Sequence, residues 1–328
     1  MTSHHQQRTS RRQTLGLLSI AAMAVCLPAL VSAQAKGQLR IGFQKYGTLT
    51  LLKGRGTLEK ALAPLGIEVK WTEFAAGPVL LEALNVGSID YGTVGEAPPI
   101  FAQAANADLV YVANEPPAPA SEAIIVPKGS TITTVAQLKG KKVALNKGSN
   151  VHYLLVRALE KAGLAYTDIQ TIFLPPSDAR AAFERGSVDA WVIWDPFLAA
   201  AEKQLGARIL ANGTGLVSNH QFYLAARPYA EKNPRVLQVV LDELIKLDAW
   251  GKKNQKEVAA ILSAQIGLEP AIVELAASRQ GYGAQPVTSA VIDEQQQIAD
   301  VFASLKLIPK KIVVRDALLA APVTAKGV

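Results

Sequence analysis

Two short segments of this 328-residue chain combine the side chains best suited to holding a ligand. Each carries amide, amino or hydroxyl donors and a glycine, and each precedes a predicted helix. The first N–H groups of a helix have no intrahelical partner, so both segments are compatible with a small anionic ligand. The two segments are Gln44-Lys45-Tyr46-Gly47-Thr48 and Lys147-Gly148-Ser149-Asn150, the second followed by His152.

Further candidates follow two predicted buried strands and open a third helix. Glu96, after Gly95, and Asp195, after Trp194, lie at matching places where both strands would reach a common cleft. Each carboxylate either caps the following helix or serves a ligand or a domain-closing contact. Gly77, between Ala76 and Pro78, would let the backbone of the third helix approach a ligand closely.

No arrangement of these residues predicts catalysis. The chain has no Gly-x-Ser-x-Gly elbow, no His-Glu-x-x-His motif and no phosphate-binding P-loop. Ser149 and His152 are three residues apart, but no third group can be named that would orient the histidine. His220 is the only other histidine beyond the first 35 residues, and Cys26 is the single cysteine. We therefore expect a binding protein with no metal and no cofactor.

The elements that position these residues are indicated by an internal repeat. Residues 83–98 (ALNVGSIDYGTVGEAP) match residues 182–197 (AFERGSVDAWVIWDPF) at a spacing of 99 residues. Residues 39–52 and 142–155 share a looser pattern of strand, donor-rich loop and helix. Asp90 and Asp189 occupy equivalent places in the repeat and are expected to form turns at the edge away from the cleft. A strand–loop–helix unit that occurs twice predicts two similar α/β lobes facing one another.

The domain organisation follows from the order of these elements. A discontinuous lobe 1 is predicted at residues 36–122 plus 227–328, with lobe 2 inserted at residues 123–226. The C-terminal part is nearly all helical and must return to lobe 1 for a sheet to pack on. Extended segments at 123–126 and 222–225 are the expected crossings and therefore the hinge.

The first 35 residues predict an export signal. Three arginines precede a short apolar run and a small-residue cleavage site, which suits either the general secretory or the twin-arginine route. Beyond the signal, 31 Lys and Arg face 27 Asp and Glu, a net charge of +4 without long runs of one sign. That weak, dispersed charge gives nucleic-acid binding little support.

Several long segments resemble periplasmic aliphatic sulfonate-binding proteins of ABC importers. They are LRIGFQK, GPVLLEALNVGSIDYGT, PPIFAQAANADLVYV, DARAAFERGSVDAWVIWDP and FYLAARPYAEKN. The resemblance implies the type II periplasmic-binding-protein fold, an α/β fold with two lobes, a ligand cleft between them and two crossing hinge segments. It implies a monomeric, periplasmic receptor that hands an alkanesulfonate to a membrane permease for sulfur supply. Taurine-, nitrate- and thiamine-precursor-binding proteins are relatives, so these ligands remain alternatives.

A sulfonate carries no proton near neutral pH, and its oxygens only accept hydrogen bonds. Its site should therefore be rich in donors and helix N-termini, with Tyr46 and Trp194 enclosing the alkyl tail. Binding should vary little from about pH 6 to about pH 8, and any remaining slope is assigned to His152. The predicted ligand-binding residues are Gln44, Lys45, Tyr46, Thr48, Gly77, Gly95, Glu96, Lys147, Ser149, Asn150, His152, Trp194 and Asp195.

Overall fold

The computed structural model describes residues 37–324, so the predicted signal at residues 1–35 lies outside the described part. The described strands are β1 (Gly37–Phe43), β2 (Ile67–Glu73), β3 (Tyr91–Gly95), β4 (Leu109–Asn114), β5 (Glu122–Val126), β6 (Lys142–Leu145), β7 (Gln170–Phe173), β8 (Ala190–Trp194), β9 (Arg208–Asn212), β10 (Gln221–Ala226) and β11 (Gln285–Pro286). The described α-helices are α1 (Gly47–Arg55), α2 (Thr57–Leu62), α3 (Gly77–Asn85), α4 (Pro98–Ala104), α5 (Asn150–Lys161), α6 (Pro176–Glu184), α7 (Phe197–Leu205), α8 (Arg227–Lys232), α9 (Pro234–Gly251), α10 (Gln255–Ile266), α11 (Pro270–Ser278) and α12 (Ser289–Ser304).

The strands form two sheets with the same internal order. The first sheet runs β11-β4-β10-β3-β1-β2, and the second runs β7-β6-β8-β5-β9. In each sheet three strands are parallel, β2-β1-β3 and β7-β6-β8, and an antiparallel strand, β10 or β5, follows them. Apart from β11, the second sheet therefore repeats the first, strand for strand. The predicted fold class, two α/β lobes built from a repeat, is confirmed.

The repeated aspartates explain why the two sheets begin alike. Asp90 Oδ2 accepts a hydrogen bond from the backbone N–H of Arg40 at 2.9 Å, and Asp189 Oδ2 accepts the equivalent bond from Lys142 at 2.8 Å. The backbone N–H of each aspartate donates back to the carbonyl of the same partner, at 2.7 and 2.9 Å. Each aspartate thus ties the start of one parallel strand, β3 or β8, to the neighbouring parallel strand, β1 or β6.

The predicted crossings at 123–126 and 222–225 are wrong, because both segments lie inside strands in the middle of sheets. Strand β5 pairs with β8 and β9, while β10 pairs with β3 and β4. The chain instead passes between the sheets at residues 115–121 and 213–220. Apolar, β-forming residues favour the interior of a sheet, which explains why both segments became strands. The prolines before β5 lack the backbone N–H groups that the hydrogen-bond ladder of a sheet needs, so that stretch forms the crossing instead. Strand β10 lies within the predicted lobe 2 but belongs to the first sheet, so we propose lobe boundaries at these crossings.

The first sheet is covered on both faces by helices. Successive residues of β10 alternate between two cores, as strand geometry requires. Tyr223 and Ala225 pack with α9, and Phe222 and Leu224 pack with α12. The C-terminal helices thus return to the first sheet, as the sequence predicts. No helix within residues 37–324 combines the length and apolarity needed to cross a membrane.

Candidate functional site

A pocket lies between the two lobes, bounded by both sheets' loops and by the C-terminal helices. It is the place where the start of α1, the start of α5, the end of β8 and both crossing segments converge. Its lining residues are Lys45, Tyr46, Gly47, Ala118, Ser121, Asn150, Trp194, Asp195, Pro196, Asn219, Gln221, Leu262, Ile266, Val273, Ala276, Ala277 and Gln280.

The N-terminus of α1 forms the donor-rich end of this pocket. Gly47 has a φ of 78°, a left-handed conformation that favours glycine and turns the chain into the helix. The Tyr46 hydroxyl donates to Gln221 Oε1 at 2.7 Å, and burial raises the pKa of Tyr46 above its ordinary value. Lys45 is half exposed, and its Nζ lies 3.6 Å from Glu73 Oε1. It is the single cation of the pocket lining. The first free N–H groups of α1 are thus placed for an anion.

Asn150 brings the second lobe to the pocket. Its side-chain amide donates to Glu122 Oε2 and lies 3.2 Å from Asn219 Oδ1, which belongs to the second crossing segment. Glu122 is fully buried, and burial together with the charge of Glu96 raises its pKa well above the ordinary value. A Cβ on Gly95 would lie 2.9 Å from the Cβ of Asn150, so glycine there permits this close approach of the lobes.

An apolar wall, formed by Leu262 and Ile266 of α10 and by Val273, Ala276 and Ala277 of α11, bounds the pocket on another side. Trp194 supplies a further apolar surface from the second lobe. Sequence reasoning missed this wall, although the two apolar helices joined by a short turn at 267–269 were visible. Nothing local in the sequence shows that helices from the far end of the chain reach the cleft.

Asp195 contacts both the helix that follows it and a side chain of the other lobe, two of the roles that the sequence left open. Its Oδ1 accepts a hydrogen bond from the backbone N–H of Ala199 at 2.9 Å, in the first turn of α7. Its Oδ2 lies 3.5 Å from Arg279 Nη1, and Nη2 of the same arginine lies 2.7 Å from Glu202 Oε2. Burial raises the pKa of Asp195 to about 7, and Arg279 opposes that rise.

Glu96 is not in the pocket and does not cap α4. Its Oε2 accepts a hydrogen bond from the backbone N–H of His220 at 3.2 Å, in the second crossing segment. Burial raises its pKa to about 8. The side chain borders a separate cavity, which is also lined by Tyr153, His220 and Glu294.

Of the thirteen predicted ligand-binding residues, the structure places five on the pocket: Lys45, Tyr46, Asn150, Trp194 and Asp195. The eight others lie outside its lining: Gln44, Thr48, Gly77, Gly95, Glu96, Lys147, Ser149 and His152. The Gln44 amide donates to the carbonyl of Thr93 at 3.1 Å, and the Ser149 hydroxyl donates to that of Asn146 at 2.7 Å. These donors satisfy nearby backbone carbonyls, which spacing alone does not reveal.

Thr48, Lys147 and Gly77 also have other roles. Thr48 Oγ1 lies 2.9 Å from Glu115 Oε1 and 2.7 Å from Asp248 Oδ1, beneath the start of α1. The Lys147 ammonium lies 5.6 Å from the ring centre of Phe173. A Cβ on Gly77 would lie 2.9 Å from Pro98, so glycine at this position is explained by packing.

His152 lies in an aromatic cluster between the lobes. Its Nε2 is 2.8 Å from the Tyr166 hydroxyl, and its ring stacks on Phe101 with the centroids 6.0 Å apart. Burial, and then the charge of Lys147, lowers the pKa of His152 to about 4. A pKa this low argues against His152 as the source of any slope between about pH 6 and about pH 8. Among residues 37–324 no group of three or more His, Cys, Asp or Glu side chains could hold a metal ion.

Two similar α/β lobes with a lined pocket between them are the architecture of a solute-binding protein. A model of the NMT1-like family matches residues 32–264. A protein of Escherichia coli K12 named as an aliphatic sulfonates-binding protein is 49% identical over 303 residues, which is 92% of this chain and 93% of that protein. The chain belongs to the NMT1-like family, among the aliphatic sulfonate-binding proteins.

Solved structures agree with that assignment. The alkanesulfonate-binding protein SsuA from Xanthomonas axonopodis pv. citri, bound to MOPS, has a TM-score of 0.84 and 44% identity over 87% of this chain and 99% of that one. The periplasmic aliphatic sulphonate binding protein SsuA from Escherichia coli has a TM-score of 0.79 and 48% identity over 88% and 94%. The family resemblance and the expectation of a binding protein rather than an enzyme are confirmed by these relatives.

Proposed function

We propose that this chain captures an aliphatic sulfonate in the pocket between its lobes and delivers it to the membrane permease of an ABC importer. One observation carries the proposal: the pocket has a donor-rich end and an apolar wall. The sulfonate group would lie near the start of α1, within reach of the Lys45 ammonium and the Gln221 amide. The alkyl chain would lie against the apolar wall and Trp194.

The lining composition favours this ligand over smaller anions. Nitrate and sulfate have no apolar part, so the apolar wall would stay in contact with water or empty. The lining contains one lysine and no arginine, which suits a monoanion better than a doubly charged sulfate or phosphate. Asp195 favours taurine as the second candidate, since a carboxylate on the lining is suited to an ammonium group.

The cellular setting remains part of the same proposal. The predicted export signal at residues 1–35 would direct the chain to the periplasm, where we expect it to act as a monomer. Its partners would be the ligand and the permease, and no nucleic acid.

Calorimetric titration with ethane-, butane- and hexanesulfonate, taurine, nitrate and sulfate tests the proposed ligand class. Sulfonate buffers must be avoided, because the Xanthomonas relative was solved with MOPS bound. We expect each added methylene to tighten binding about four-fold, from about 0.8 kcal/mol of apolar burial per methylene. Nitrate and sulfate should bind at least about 100-fold more weakly than butanesulfonate, a difference of about 2.7 kcal/mol. Nitrate or sulfate binding as tightly as butanesulfonate would contradict the proposal.

A further inference from the structure

A buried acid pair lies directly beneath the donor-rich end of the pocket. Glu115, in the first crossing segment, and Asp248, on α9, are both almost fully buried. Their side chains meet at Thr48, the second residue of α1, whose Oγ1 is 2.9 Å from Glu115 and 2.7 Å from Asp248. The Gln280 side chain lines the pocket and donates to the same Thr48 oxygen at 3.2 Å.

Counting hydrogens favours a proton shared by the pair. The Thr48 hydroxyl has one hydrogen, yet two carboxyl oxygens lie within hydrogen-bond distance of it. The amide of Gln280 is a donor and cannot accept that hydrogen. A hydrogen from one of the carboxyl groups would give the second oxygen–oxygen contact a bond of its own, where sharing the single Thr48 hydrogen would leave two half-satisfied acceptors.

The surroundings assign that proton to Glu115. Asp248 Oδ2 accepts from the backbone N–H groups of Gly283 and Ala284, at 2.9 and 2.6 Å, which stabilises the ionised form. Glu115 Oε1 accepts from the Tyr223 hydroxyl, but its Oε2 is buried with no partner among residues 37–324. A buried oxygen without a partner costs less on a neutral acid than on a carboxylate. Burial and the charge of Asp248 accordingly raise the pKa of Glu115 to about 8.

The other titratable groups around the pair do not compete for this proton. Burial raises the pKa of each neighbouring tyrosine above its ordinary value, so these side chains stay neutral well beyond neutral pH. The cation whose charge acts on Asp248 is Lys252, just after α9. The four tyrosines are Tyr46, Tyr91, Tyr223 and Tyr282.

We propose that Glu115 is a positioning residue that keeps one proton beneath the pocket, so that binding of an anion is coupled to proton uptake. This rests on the proposed function, since the ligand must be an anion near Gly47 and Tyr46. An ionised Glu115 would place a second negative charge under the α1 N-terminus and repel the anion. The neutral acid avoids this repulsion and still holds Thr48 in place.

The sign of the pH dependence follows from linkage. An anion in the pocket disfavours ionisation of Glu115, so its pKa is higher in the complex than in the free protein. Below the free pKa of about 8 the affinity is constant. Above it the affinity falls, by up to about ten-fold per pH unit, until the pKa of the complex is reached. An alkanesulfonate does not titrate in this range, so the protons taken up must bind to the protein.

Calorimetry with butanesulfonate tests this coupling in the unmodified protein. Titrations at about pH 6.5 and about pH 9 should be run in two non-sulfonate buffers of different ionisation enthalpy, phosphate and Tris at the lower pH and borate and Tris at the higher. We expect uptake of a substantial fraction of one proton at the higher pH, with at least about a three-fold loss of affinity. Binding at both pH values without proton uptake overturns this inference and leaves the proposed function standing. No butanesulfonate binding at any pH overturns both.

Two variants locate the proton. Glu115→Gln copies the neutral acid. At about pH 9 it should therefore bind butanesulfonate as tightly as the unmodified protein does at about pH 6.5, without proton uptake. Glu96→Gln is the matched comparison, because it removes another buried carboxyl whose pKa is raised to about 8. It should retain the proton uptake of the unmodified protein. If Glu115→Gln fails to fold, Asp248→Asn is the second variant: it removes the charge that raises the pKa of Glu115, so the loss of affinity should begin at a lower pH than in the unmodified protein. Proton uptake lost in Glu96→Gln but kept in Glu115→Gln, or an unchanged onset of the affinity loss in Asp248→Asn, overturns the assignment.

Discussion

At the scale of single residues, buried carboxyl groups without a matching cation gather where the lobes meet. Glu96, Glu115 and Glu122 are each at most 2% exposed, and burial is the first cause of the raised pKa of each. Far from the cleft the pattern is different, since Asp90 is ionically paired with Arg40 at 2.5 Å. These three acids are thus held by burial and hydrogen bonds, whereas Asp90 is held by a charged partner.

This difference predicts unequal effects of two amide substitutions on stability. The pKa of Glu122 is raised in the folded state, so the folded protein binds more protons and loses stability as pH rises above the unfolded value of about 4.3. Glu122→Gln should remove that slope and change the free energy of unfolding at neutral pH by less than about 1 kcal/mol. Asp90→Asn leaves Arg40 without its carboxylate and should cost about 1.5–3 kcal/mol.

Urea unfolding at about pH 5 and about pH 8 measures both effects. The Glu122 assignment requires a flatter pH dependence in Glu122→Gln than in the unmodified protein. An equal loss of stability in Glu122→Gln and Asp90→Asn at both pH values would show that Glu122 is ionised in the folded state.

The sequence predicted which loops reach the cleft better than which side chains enter it. Donor-rich loops before helices are a local pattern, and Tyr46 and Asn150 do line the pocket. The direction of a hydroxyl depends on partners that are distant in the chain. Thr48 turns to acids 67 and 200 residues away, and that choice leaves no trace in the spacing of its own loop.

At the scale of elements, α10 and α11 set the size of the apolar part of the site. Ala276 and Ala277 are small residues on the lining, and they leave room beside Leu262 and Val273. The 99-residue repeat predicted both sheets because strand patterning is local and occurs twice. These helices lie outside the repeat, so their position against the cleft depends on tertiary packing that the repeat does not encode.

A larger residue on α11 should shorten the ligand that the pocket accepts. Ala276→Leu fills space against the wall, so hexanesulfonate binding should weaken at least about ten-fold, within the 1–3 kcal/mol typical of overpacking. Ethanesulfonate binding should change by less than about three-fold, or about 0.6 kcal/mol. Ala271→Leu, at an exposed position of the same helix, is the control. Equal losses for both ligands, measured by calorimetry, would place the alkyl chain elsewhere.

At the scale of the whole molecule, the lobes touch through α7 and α11. Ala199 and Ala200 of α7 pack against Ile272 of α11, and small side chains let the two helices approach closely. Beside this contact, Arg279 of the first lobe lies between Asp195 and Glu202 of the second. Its side chain is 16% exposed, so this interlobe pair is screened less than a surface pair.

Because Arg279 joins the lobes without lining the pocket, we expect it to favour the closed arrangement and not to contact the ligand. Arg279→Gln leaves Asp195 and Glu202 facing each other without their cation, which should separate the lobes about the crossings at 115–121 and 213–220. Butanesulfonate affinity should fall about ten-fold, or about 1.4 kcal/mol, and the radius of gyration in small-angle scattering should increase at subsaturating ligand. Arg180→Gln, which removes an ion pair within α6 alone, should change neither quantity. If Arg279→Gln keeps both the affinity and the scattering profile of the unmodified protein, the pair does not contribute to closure, and the other interlobe contacts suffice to hold the lobes together.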